Sequence, residues 1–142
     1  MIKLLLIPIL FLILSCYPEP EKIIEIYRFI NLSEYDMEMI RYYNQNSPTL
    51  KNHISKNSQI EIPSGISDEK YNAGGLDSIR FLFSNGKQIL FTKKDRDTTS
   101  SLKKLSPFNE VSFRKNYEGQ PRKGPRYLEY LIDQKIYNLA KK

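Results

Sequence analysis

One long apolar run opens this chain, and short alternating runs follow it. Leu4 to Leu14 is an unbroken apolar stretch of eleven residues, with Pro8 inside it and Lys3 just before it. As a helix it spans about 16 Å, roughly half a bilayer core. A basic start followed by an apolar run of this length predicts a secretory signal rather than a permanent transmembrane helix. Further on, Ile23 to Ile30 fits a helical stripe, but its β-branched density predicts a strand. Ser33, followed by Glu34 and Asp36, reads as a helix N-cap, with Tyr35, Met39, Tyr42 and Tyr43 on one face and a stop before Pro48. The polar stretch Thr49 to Ser58 reads as irregular, and Gln59 to Ile62 as a short strand ended by Pro63.

The sharpest local pattern lies at Asn85-Gly86. Asp77 to Phe83 and Lys87 to Thr92 flank it, with Ile79, Phe81 and Phe83 on one face and Ile89 and Phe91 opposite. This predicts a β-hairpin closed by a type I′ turn. Glu110 to Arg114 is a candidate third strand. After Gly124-Pro125, the residues Leu128, Leu131, Ile132, Ile136 and Leu139 form a stripe that predicts a C-terminal amphipathic helix, with Glu129 and Asp133 on its solvated face. The expected fold class is therefore α+β: a small antiparallel sheet packed by one or two helices.

The end of the first apolar run carries a motif. Ile13-Leu14-Ser15-Cys16 sets a small residue directly before the single cysteine of the chain. This resembles the lipobox of bacterial lipoproteins. The resemblance implies that residues 1–15 are a signal peptide and that Cys16 is the lipid attachment site. It also implies a protein of the bacterial cell envelope, held to a membrane by acyl chains. Two or more chains anchor stably where one binds only marginally. Residues 16–22, with Pro18 and Pro20, read as a short extended tether. A single globular domain is expected over 23–142.

Composition removes several classes. With one Cys and one His in 142 residues, neither a disulfide framework nor a Cys/His zinc site nor a CxxC redox centre can be built. Charge is uneven. Residues 1–90 hold nine basic and ten acidic side chains, whereas residues 91–142 hold thirteen and six. Arg114, Lys115, Arg122, Lys123 and Arg126 lie in a stretch broken by Gly119, Pro121, Gly124 and Pro125. They form the candidate binding site for an anionic partner: a lipid headgroup, an envelope glycopolymer or an acidic protein. The export signal argues against nucleic acid.

Catalytic patterns are thin, and no catalytic residue is assigned. Ser100 to Lys103 matches S-x-x-K, but the partner motifs S-D-N and K-T-G are absent. Asp95-Arg96-Asp97 begins like a calcium loop, yet Ser100 and Ser106 stand where Gly and Glu are needed. His53 has no candidate partner nearby and is expected to be exposed; the tyrosines are expected to line a small core. No metal or organic cofactor is expected. The reading is a lipid-anchored, non-enzymatic binding or assembly module with a basic C-terminal surface. The alternative is an immunity or inhibitor lipoprotein that neutralises a secreted toxin or hydrolase; a basic inhibitor would suit an acidic enzyme.

Overall fold

The computed structural model describes residues 25–43, 49–63, 76–95, 103–116 and 124–142. Their strands are β1 (Glu25–Asn31), β2 (Met37–Tyr43), β3 (Leu50–Ile54), β4 (Gln59–Pro63), β5 (Leu76–Phe83), β6 (Gln88–Thr92), β7 (Arg114–Lys115) and β8 (Arg126–Ile132), followed by one short helix, α1 (Gln134–Leu139). They form two four-stranded sheets, ordered β4-β1-β8-β7 and β3-β2-β5-β6. The second sheet is antiparallel throughout; in the first, β1 runs parallel to β8. The expected α+β class is thus corrected to a mostly β architecture of two packed sheets.

The core lies between the sheets. Phe29 of β1 meets Phe81 of β5 at 6.4 Å between ring centroids, and Phe81 meets Tyr130 of β8 at 5.9 Å. Met37, Met39, Ile79, Phe83 and Ile132 are buried with them. Burying each such side chain stabilises by about 1.5–3 kcal/mol. The Tyr130 hydroxyl donates to the Leu105 carbonyl, so its polar end is satisfied. Burial pushes its pKa well above the usual tyrosine value.

The chain crosses between the sheets twice at one end. Asn31, fully buried, ties both crossings together. Its Nδ2 donates to the carbonyls of Tyr35 at 2.8 Å and Ile54 at 3.1 Å, while its Oδ1 accepts from Ser33 N at 3.1 Å and Ser33 Oγ at 2.7 Å. Ser33 therefore serves an Asx-type turn instead of a helix N-cap. The helix expected after it is strand β2, with Met37 and Met39 turned inward. The polar stretch after Thr49 contains β3 and a turn with Asn57 at φ 57°.

The hairpin at Asn85-Gly86 is present with the expected facing residues, Phe81 opposite Ile89 and Ile79 opposite Phe91. Its turn differs from type I′. Gly86 N donates to Phe83 O at 2.9 Å, Phe83 N to Lys87 O at 2.8 Å, and Gly86 alone takes a positive φ, at 85°. This is a three-residue loop in which Gly supplies the left-handed position.

The expected C-terminal helix divides. Residues Arg126–Ile132 form strand β8, and only Gln134–Leu139 are helical. Asp133 caps α1, its Oδ1 accepting from Lys135 N at 2.9 Å and Ile136 N at 3.2 Å. The mixed pattern of β8 arises because it is a strand flanked by neighbours, with Tyr130 and Ile132 inward and Tyr127 and Leu131 half-buried on the other face. Glu110–Ser112 is a 3₁₀ turn, so the third strand shrinks to Arg114–Lys115.

Candidate functional site

The outer face of the first sheet carries a row of alternating charge. In register, Glu61 of β4 stands beside Arg28 of β1, Arg28 beside Glu129 of β8, and Glu129 beside Arg114 of β7. Arg28 donates from Nη2 to Glu61 Oε1 at 2.7 Å and from Nη1 to Glu129 Oε1 at 3.1 Å. Arg114 donates to Glu129 Oε2 from Nε, at 2.9 Å, and from Nη2. Asn116 Nδ2 adds 2.8 Å to Glu129 Oε1. Arg28 also lies over the Tyr127 ring at 4.0 Å.

Glu129 is only 3% exposed. Burial by itself pushes its carboxyl upward; Arg114, Asn116 and Arg28 outweigh that and hold it below the usual range. The Arg28 guanidinium is raised, chiefly by its bonds to Glu61, against the lowering effect of burial. Both oxygens of Glu129 are occupied by internal donors. A carboxylate held this way is a structural tie between β1, β7 and β8, and a poor proton acceptor. The expectation of a solvated helix face for Glu129 is therefore corrected.

The C-terminal half builds one flank of the molecule. β6 and β7 are edge strands of the two sheets. The 3₁₀ turns Lys93–Asp95, Lys103–Leu105 and Glu110–Ser112 lie in the connection between these strands, and α1 packs on β6 and β8. On this flank Lys93, Lys94, Lys104, Arg114, Lys115, Lys135, Lys141 and Lys142 are exposed. Three of its carboxylates are engaged by internal donors: Glu129 is buried, while Asp95 and Asp133 are half-buried. Asp95 Oδ2 accepts from Thr92 N at 2.7 Å, Asp133 caps α1, and Glu129 sits in the charge row.

The sequence-derived site residues fall into this picture unevenly. Arg114 is 63% exposed but committed to Glu129. Lys115 is exposed beside it in β7, and Arg126 is half-buried at the start of β8, opposite Glu25. Arg122, Lys123 and Cys16 lie outside the described residues, as do Asp97 and Ser100. Sequence reasoning does not single out Lys93, Lys94, Lys104, Lys135, Lys141 or Lys142. The uneven charge of residues 91–142 is the signal that could have found them.

Elsewhere the chemistry is sparse. His53 is exposed on β3, opposite Glu38 in register. It borders an open cavity of about 400 Å³ with Asp36, Glu38, Leu82 and Ser84. Among the described residues, no three His, Cys, Asp or Glu side chains are grouped to hold a metal ion. Of the described tyrosines, Tyr27, Tyr130 and Tyr137 belong to the core and Tyr35 and Tyr43 pack against it, as expected. Tyr35 stacks on Tyr137 at 4.9 Å, Tyr42 lies under Arg80, and Tyr130 is in the core.

Comparison with protein-family models, with curated proteins and with solved structures gives no match for this chain.

Proposed function

We propose that this chain is a lipid-anchored protein of the bacterial cell envelope, attached through Cys16, which acts as a non-enzymatic binding module. Its basic C-terminal flank meets an anionic partner. One observation carries the reading: on that flank the carboxylates of Asp95, Glu129 and Asp133 bond internally, while Lys93, Lys94, Lys104, Lys115, Lys135, Lys141 and Lys142 are exposed. The thirteen basic against six acidic side chains after residue 90 leave this part of the chain net positive. Each cation beside an anionic surface contributes about 1 kcal/mol, screened over about 8 Å at physiological salt.

Binding of the unlipidated chain begun at Pro18, so that the anchor does not mask the flank, to anionic and to neutral vesicles, and to a soluble polyanion, tests this. Association with at least one anionic target should exceed that with neutral vesicles and fall as salt rises. Equal, salt-insensitive association with all of them would overturn the reading.

A further inference from the structure

Val111 is the most exposed large hydrophobic side chain among the described residues, at 77%. It stands at the tip of the turn Glu110–Ser112, just before β7. The turn is firmly held. The single O–H of Ser112 is shared between Asn109 O at 2.6 Å and Ser106 O at 2.8 Å, and Asn109 Oδ1 accepts from Val111 N at 3.3 Å. Beneath it, Phe108 and Phe113 are buried, and Phe113 packs on Tyr27 at 5.4 Å. The valine is therefore presented outward by a fixed base.

Beside Glu110 in its own turn, Val111 has cations around it. Lys104 lies in the turn packed against this one, and Arg114 and Lys115 follow it in β7; all three are exposed. Residues 103–116 hold four basic side chains and one acidic, Glu110. The adjoining cavity, lined in part by Ser112, Arg114, Glu129 and Asp133, measures about 160 Å³. Pockets for small ligands begin at about 300 Å³. A projecting apolar tip within a spread of cations suits a broad anionic surface with an apolar layer just below it. Lipid membranes have that structure; a soluble polyanion or a glycopolymer lacks the apolar layer.

We infer that the turn bearing Val111 inserts into an anionic lipid leaflet, with Lys104 and Lys115 on the surrounding headgroups. This rests on the reading of the flank as an anion-binding surface and names the partner as the membrane. The insertion would give a lipid-anchored chain a second point of attachment and a fixed orientation.

The chain contains no Trp, so a single introduced indole is a clean reporter. The full chain carrying Val111→Trp would be reconstituted on phosphatidylglycerol vesicles and on phosphatidylcholine vesicles. On the proposed reading the acyl chains on Cys16 hold the mature chain to both, so emission reads only where position 111 sits. On the anionic vesicles we expect a blue shift and quenching by brominated acyl chains. On the zwitterionic vesicles the emission should stay that of a solvent-exposed indole. Added salt should reverse the shift, and Lys104→Gln with Lys115→Gln should abolish it. Leu50→Trp, on β3 at the opposite flank, should report solvent on both vesicles.

Solvent-like emission from the Val111→Trp chain on anionic vesicles would overturn the insertion. So would an equal shift from Leu50→Trp, or the same shift on a soluble polyanion without lipid. The flank reading fails separately, only if the unlipidated wild type shows no salt-sensitive preference for any anionic target.

Discussion

Arg114 places two donors, Nε and Nη2, on a single oxygen of Glu129, across the β7–β8 pair. That leaves the other oxygen of Glu129 for Arg28 and Asn116. Glu129→Gln removes the charge common to both arginines. Removing one partner of a fully buried pair costs about 3–5 kcal/mol. Arg114 is largely exposed and recovers solvent, so we expect about 1–3 kcal/mol in urea denaturation at neutral pH.

The same carboxyl predicts an acid dependence. Its folded pKa lies below the ordinary value, so its stabilisation is present above the unfolded pKa of about 4.3 and is lost as pH falls through the folded pKa. Wild-type and Glu129→Gln urea midpoints should therefore converge in acid. A gap that stays constant down to the folded pKa and below it would contradict the assignment.

Asn31 gives a second test. Asn31→Asp keeps the shape but replaces the Nδ2 donor with an acceptor facing the Tyr35 and Ile54 carbonyls. We expect a loss of at least about 2 kcal/mol, from buried groups left without partners. Thermal melting of the variant beside wild type measures it.

Gly86→Ala tests the hairpin. A Cβ there meets nothing within 4 Å, so the cost comes only from φ at +85°. It should be about 1–2 kcal/mol by chemical denaturation, and Gly86→Asn should cost less.

The anchor has its own measurement. Cys16→Ser should abolish metabolic fatty-acid labelling and leave the precursor uncut before that position. Label retained in the substituted protein would remove Cys16 from its role.

How far the sequence can be read follows from how local each signal is. The Asn85-Gly86 hairpin is legible because turn residues and alternating faces lie within sixteen residues, 77–92. β2 imitates a helix because Ser33 resembles an N-cap, when its hydroxyl actually bonds Asn31. β8 imitates one because Leu131 is apolar on the face opposite Leu128 and Ile132, which completes a helical stripe. The charge row is not legible at all. Arg28 and Glu129 are 101 residues apart, and only the parallel pairing of β1 with β8 brings them together. The excess of cations after residue 90 is plain from composition; that Asp95, Glu129 and Asp133 are engaged by internal donors is not.

The central claim is that the basic flank, and no other surface, engages the anionic partner. Lys93, Lys94, Lys104, Lys115 and Lys135 would be changed together to Gln in one variant, and Lys51 and Lys56, on or beside β3, in another. Both, and the wild type, would be made without the signal and Cys16, begun at Pro18, and binding to phosphatidylglycerol vesicles followed across a salt series. Since every contacted anion contributes to the salt dependence, the flank variant should bind more weakly and with a flatter salt slope, while the β3-side variant should match wild type. Unchanged affinity and slope in the flank variant, with both folded to the same thermal midpoint as wild type, would contradict the account.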